Sequence, residues 1–192
     1  LYRLLSRHPG VSIQGTAPAA ALRWSEFLRT AGVAEASLCD AFNRQSPLGH
    51  SSVLRGPVGE SNTYTLTAKG RVLCTARSRE ALAVQIGAAL STGNVAVGWK
   101  STLAAFPKLP TDLRSFIEAV PDDSLPDCDA VLIETMDDAA RDIARKVSAR
   151  EGRIIPLYLC SSAGCALEQL VWERSVSVNT AAAGGNASLV SL

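Results

Sequence analysis

Several things are scarce in this sequence, and each scarcity excludes a class of function. Charge of one sign is missing: Lys+Arg number 19 against 18 Asp+Glu, for a formal charge of +1. With no basic block either, there is no electrostatic footprint for a nucleic acid partner. No apolar stretch approaches the roughly 20 residues a transmembrane helix requires. The start, Leu1-Tyr2-Arg3-Leu4-Leu5-Ser6-Arg7, meets charge too soon for a signal peptide. There are only two histidines, His8 and His50, both in polar, loop-like surroundings. Zinc asks for about four N, S or O ligands, and no cluster supplies them. The five cysteines, Cys39, Cys74, Cys128, Cys160 and Cys165, are odd in number and irregularly spaced, with no CxxC. They read as reduced thiols of a cytoplasmic chain rather than a disulfide framework. Cys74 and Cys160 lie in apolar runs and read as small core residues.

What is present is ordinary core material. Hydrophobic residues make up 47% and charged residues 19% of the 192 positions, which excludes general disorder and suffices for one compact domain. The first residue is Leu rather than Met, so the sequence reads as a piece of a longer chain.

Residues 1–55 read as a helical segment and linker. Leu22, Phe27, Leu28 and Ala31 give residues 19–31 an amphipathic spacing, with Pro18 before and Gly32 after. A second helix is expected over 35–43, and Pro47, Gly49, Gly56, Pro57 and Gly59 mark a loop. From residue 60 the pattern turns to strand. Residues 61–67 alternate, Ala68-Lys69-Gly70 reads as a turn, and 71–76 reads as a second strand, so a β-hairpin flap is expected over 61–76. Its first arm is polar on both faces, as in a strand that projects or sits at an edge.

Strands and helices then alternate. Expected helices cover 79–90 behind a Ser78 cap, 112–120 behind Thr111, 136–150, and 163–172. Expected strands cover 95–99, 129–134, 154–159 and 173–179. Pro156 in the third of these implies an edge or a bulge. Apolar strands alternating with helices predict an α/β fold for residues 56–178, a doubly wound, mostly parallel, Rossmann-like sheet. Residues 179–192 form a separate tail.

Such a sheet invites a nucleotide. Phosphate binding needs glycines at the first strand-to-helix turn, but that turn is Ala76-Arg77-Ser78-Arg79-Glu80. Cys160-Ser161-Ser162-Ala163-Gly164 could hold an anion, although capping explains it as well. Gly56-Pro57-Val58-Gly59-Glu60-Ser61 lacks the Lys-Ser/Thr pair of a P-loop. No GxSxG elbow occurs and no imidazole lies near a strand end. Asp122, Asp123, Asp127 and Asp129 could do acid/base work but read as a solvated loop.

Two stretches carry a resemblance. The tail Glu173-Arg174-Ser175-Val176-Ser177-Val178-Asn179-Thr180-Ala181-Ala182-Ala183-Gly184-Gly185-Asn186-Ala187-Ser188-Leu189 closely resembles the C-terminal motif of the proline utilization A family. So do Gly56-Pro57-Val58-Gly59-Glu60-Ser61-Asn62-Thr63-Tyr64-Thr65-Leu66 and Gly70-Arg71-Val72-Leu73-Cys74. The last three residues, Val190-Ser191-Leu192, vary slightly from the family's ending.

The resemblance implies a long bifunctional oxidoreductase that oxidises proline to glutamate. It implies FAD in a proline dehydrogenase barrel and NAD in a semialdehyde dehydrogenase, both in other domains. For this chain it implies a non-catalytic C-terminal domain with the aldehyde dehydrogenase superfamily fold and no cofactor or metal of its own. Its implied partner is the catalytic dehydrogenase domain of the same polypeptide, whose active site and substrate channel it helps to enclose. A cytoplasmic protein, peripherally associated with the inner membrane, is implied as well. The residues expected to dock are Gly56, Pro57, Gly59, Glu60 and Asn62, with Ser177, Asn179, Thr180, Gly184, Gly185, Asn186 and Ser188. Two rivals stand beside this reading: a working NAD-binding dehydrogenase domain, and an oligomerisation module in which the hairpin pairs between subunits.

Overall fold

The computed structural model describes residues 13–179. The chain forms two sheets. In chain order the elements are α1 (Ala19–Thr30), α2 (Ala36–Arg44), β1 (Ser51–Leu54), β2 (Glu60–Ala68), β3 (Arg71–Cys74), α3 (Arg79–Ser91), β4 (Val95–Trp99), α4 (Lys100–Leu103), β5 (Ile117–Val120), β6 (Ala130–Ile133), α5 (Asp138–Ser148), β7 (Leu157–Ser161), β8 (Gly164–Cys165) and β9 (Val171–Asn179).

The larger sheet has the order β5-β4-β3-β6-β7-β8. Its first five strands are parallel, and β8 folds back antiparallel on β7. Counted from β3, the parallel order is third, second, first, fourth, fifth, the doubly wound arrangement with a switch point between β3 and β6. Strand residues alternate between two cores. Val72, Cys74, Ala96, Ala130, Leu132 and Cys160 face α1, α2 and α3. Leu73, Val97, Val131 and Ile133 face the side where Ala140 and Val147 of α5 pack. Helix α3 is buried from Ala81 to Ser91, as expected for a helix apolar all round. Helices α1 and α2 close over it, with Trp24 fully buried and its indole N–H donating to the Ala83 carbonyl at 3.0 Å. Residues 19–44 thus share the core of the sheet.

The smaller sheet is a ribbon, β1-β2-β9, antiparallel throughout. It corrects three expectations. The 61–67 and 71–76 arms do not form a hairpin: β2 pairs with β1 and β9, whereas β3 pairs with β4 and β6. Val72, Leu73 and Cys74 are apolar on both faces and need cover on both, which only the parallel sheet supplies. Residues 173–179 leave the parallel sheet for the ribbon. Their place among the five parallel strands is taken by β5, where a helix was expected over 112–120. Only a single 3-10 turn, Thr111–Leu113, is helical there. Ile117 and Val120 instead bury themselves beside β4.

The helix expected over 163–172 is also absent. Gly164 has φ +146°, which stops a helix. The chain makes β8, a 3-10 turn at Leu167–Leu170, and then β9. Pro156 precedes β7 rather than interrupting it.

Candidate functional site

Ligands of doubly wound sheets bind outside the carboxyl ends of the strands at the switch point. Here β3 ends in Thr75-Ala76-Arg77 and β6 in Glu134-Thr135. A small crevice between them is lined by Thr75, Arg77, Trp99, Glu134 and Asp137. A helix N-terminus at such a place offers free N–H groups to an anion. In this chain they already have one. Glu134 Oε2 accepts from the Arg77 and Ser78 N–H groups at 3.2 and 3.3 Å, and Oε1 accepts from the Ser78 hydroxyl at 2.6 Å. Ser78 also caps α3, accepting from the Ala81 N–H at 3.2 Å. A dinucleotide phosphate approaching these groups would meet the Glu134 carboxylate, so the residues present do not fit one there.

The other sequence candidates resolve differently. The Ser161–Ala163 turn opens no helix; it closes the β7–β8 hairpin. Asp129 is not in a solvated loop. It is nearly buried, pairs with Arg153 and accepts from the Arg71 N–H at 2.7 Å. Asp122 accepts from the Ser101 N–H at 2.9 Å. His50 is buried rather than loop-exposed, its Nδ1 3.3 Å from the Gln14 N–H; His8 lies outside the described residues. Among the described residues, no group of three or more His, Cys, Asp or Glu could hold a metal ion.

The expected docking residues that are described fall on the ribbon, where residues 60–66 and 173–179 of the two stretches that carried the resemblance pair with each other. Strand β9 pairs with β2 from Ala68↔Val171 to Glu60↔Asn179, which places Asn62 opposite Ser177 and Glu60 opposite Asn179. The Ser177 hydroxyl donates to the Asn62 side-chain carbonyl. Gly56 and Pro57 sit in the β1–β2 loop, which Gly59 closes with φ +90°. A Cβ on Gly56 would meet the end of the Asn62 side chain, which would have to shift. Thr180, Gly184, Gly185, Asn186 and Ser188 lie outside the described residues.

The ribbon divides into a rooted half and an exposed half. At the root, Tyr64 and Leu66 are fully buried with Val171, and the Tyr64 hydroxyl donates to Glu173 at 3.2 Å. Asn94, buried at the start of β4, ties the root together. Its Oδ1 accepts from the Gly70 N–H at 2.8 Å, and its Nδ2 donates to the Leu170 carbonyl at 2.9 Å. The Lys69 ammonium stands 3.9 Å from the Trp172 ring, whose N–H donates to the Lys69 carbonyl at 3.2 Å. Burial lowers the Lys69 pKa, and Asp129 opposes that shift. Beyond the root, β9 is exposed from Trp172 to Asn179, including Val176 and Val178, and Val53 and Val58 are exposed beside it.

Asn94, Glu134 and the Lys69–Trp172 pair escaped the sequence reading. Glu134 had a signal, a carboxylate directly after an apolar strand; Asn94 looked only like the end of a helix.

No family model matches the chain. It is 36% identical over 165 residues to the bifunctional protein PutA of Salmonella typhimurium, a match covering 81% of this chain and 12% of the relative. It is 34% identical over 164 residues to PutA of Escherichia coli, with the same coverage. It is 38% identical over 157 residues to PutA of Rhizobium meliloti, covering 77% of this chain and 13% of the relative. The chain thus spans 12 to 13% of the length of these curated relatives. Among solved structures, a bifunctional proline utilization A protein matches with a TM-score of 0.53 at 22% identity, over 74% of this chain and 19% of that one. PnpE in complex with nicotinamide adenine dinucleotide matches with a TM-score of 0.56 at 15% identity, over 73% and 37%. At these identities the structural matches speak for the fold and the curated relatives for the kinship: the chain is a PutA-related domain with a mostly parallel, Rossmann-like fold.

Proposed function

We propose that this chain is a non-catalytic domain of a longer PutA-type polypeptide, oxidising proline to glutamate elsewhere in that polypeptide with FAD and NAD. In this reading its ribbon lies on the semialdehyde dehydrogenase domain, covers the active site and helps to enclose the channel for the intermediate. The observation that carries the reading is the exposed half of the ribbon. Strand β9 is exposed at every position from Trp172 onward, yet it is held in a fixed nine-pair register with β2. Ordered, two-edged sheet with exposed valines is costly to leave in water and suited to a neighbouring surface. The Glu134 carboxylate on the α3 N-terminus supports the same reading, because it takes the N–H groups that a dinucleotide phosphate would use at that switch point.

Deleting residues 175–192 from the full-length protein tests the covering role. The expected result is a lag and a slower coupled conversion of proline to glutamate, with each half-reaction intact when assayed alone. Coupled turnover at an unchanged rate and without a lag would contradict it. Among the described residues β1 and β9 are the edge strands of the ribbon, which also favours a second reading, strand pairing between copies. A drop in the full-length protein's mass in solution on the same deletion, with coupled turnover retained, would select that reading.

A further inference from the structure

The β7–β8 hairpin holds a pair of cysteines that the proposed function does not use. We propose that Cys165 and Cys160 are a peroxide-sensitive dithiol whose oxidation closes a cross-strand disulfide at the root of the ribbon. The two residues are direct antiparallel partners, next to the Ser161↔Gly164 pair that ends the hairpin. Antiparallel partners stand about 4.5 or 5.5 Å apart at Cα, according to the kind of pair. Both separations fall within the window of about 4.4–6.8 Å that a disulfide spans. Cross-strand partners project from the same face of the sheet. Here both side chains turn to the same core. Their register as cross-strand partners places them within the reach of a disulfide.

Access makes the pair asymmetric. Cys39, Cys74, Cys128 and Cys160 are buried, and Cys165 alone is partly exposed. Burial pushes the Cys39 thiol up to about 12 and raises those of Cys74, Cys128 and Cys160 as well, which suppresses the reactive thiolate at all four. Hydrogen peroxide therefore meets Cys165 first. The thiolate attacks one peroxide oxygen, the O–O bond breaks and hydroxide leaves, giving the sulfenic acid. The Cys160 sulfur then attacks the Cys165 sulfur. The S–O bond breaks, and the leaving hydroxide takes the Cys160 proton and departs as water. Two thiols are oxidised by one peroxide, which is reduced to two waters.

The location gives the bond a consequence. From Cys165 the chain passes through Ala166 and the Leu167–Leu170 turn directly into β9. Tyr158 of β7 lies 3.5 Å from the Lys69 ammonium that sits on Trp172. A bridge across β7 and β8 therefore restrains the segment that feeds the ribbon.

The test treats the native full-length protein with hydrogen peroxide, blocks free thiols with N-ethylmaleimide, and digests it with trypsin. The peptide spanning residues 154–174 contains both cysteines and no others. It is expected to be about 2 Da lighter, carry no alkylation, and recover two alkylation sites after dithiothreitol, the mark of a reversible disulfide. Cys160→Ser should lose the 2 Da change and leave a sulfenic acid at Cys165 that dimedone traps. Amides of residues 166–172 should exchange more slowly in the oxidised form. Retained alkylation of both cysteines, direct passage of Cys165 to the sulfinic acid, or a Cys165–Cys74 link would each overturn the proposal. Unchanged exchange at 166–172 would overturn the restraint on the ribbon.

Discussion

The two sheets of this molecule use the same backbone for opposite purposes. Strand β6 is four residues long and buried at every one; β9 is nine residues long and exposed at eight. In the body, side chains hold the strands: each faces one of two apolar cores and could not leave without exposing it. In the ribbon, backbone pairing and cross-strand contacts such as Asn62–Ser177 hold the strands, and the core under them is only Tyr64, Leu66 and Val171 with their neighbours. The body is complete in itself, including the carboxylate it lays on its own helix terminus. The ribbon is anchored at one end and exposed at the other.

The contrast is open to mutation, beginning with the largest effect. Trp24→Ala removes a fully buried indole that packs on Phe27 and Phe106. It should cost about 3–5 kcal/mol in denaturant unfolding, and a loss below about 1 kcal/mol would mean that α1 is not part of the body. At the junction, Asn94→Ala leaves the Gly70 N–H and the Leu170 carbonyl without their partner. About 1–3 kcal/mol should be lost, together with the fixed environment of Trp172, read as a shift of its fluorescence.

A pH effect comes next. Asp137 accepts the Ala140 N–H at the start of α5 and a hydrogen bond from Thr135, and its pKa lies below the ordinary 3.8. A depressed carboxyl contributes stability above its unfolded pKa and loses that contribution as pH falls through its folded pKa. Asp137→Asn should therefore reduce stability at pH 7 and flatten the acid limb below about pH 4; parallel acid limbs in the two proteins would contradict this. The smallest effect belongs to the ribbon. Val178→Ser should change the stability of the 192-residue chain by less than about 0.5 kcal/mol, while lowering coupled turnover in the full-length protein. A large loss of stability in the chain alone would show that the ribbon is finished internally.

The same contrast explains what the sequence made legible. Most of the body was readable because its signals are local; β5, expected as part of a helix over 112–120, was not. Ser78 and Asp137 cap helices where they stand, and Val72-Leu73-Cys74 and Ala130-Val131-Leu132 are apolar runs that demand cover. The ribbon was half readable. Residues 61–67 and 173–179 were recognisable as strands, but their partnership joins positions some 109 apart, as between Tyr64 and Glu173, which no local pattern encodes. Ala68-Lys69-Gly70 imitates a hairpin turn, although it is the crossing from one sheet to the other. Ser51–Leu54 is hidden among prolines and glycines and becomes a strand only because β2 is there to pair with it. Ala163 to Trp172 has helical composition, and tertiary pairing of Cys165 with Cys160 overrides it.

Hydrogen exchange along β9 tests the central claim most directly, with the 192-residue chain alone compared to the same segment in the full-length protein. The account predicts fast exchange in residues 173–179 of the isolated chain, and strong protection of those residues in the full-length protein, while β3 and β6 are protected equally in both. Equal exchange of residues 173–179 in the two forms would contradict the account, because the ribbon would then have no surface to lie on.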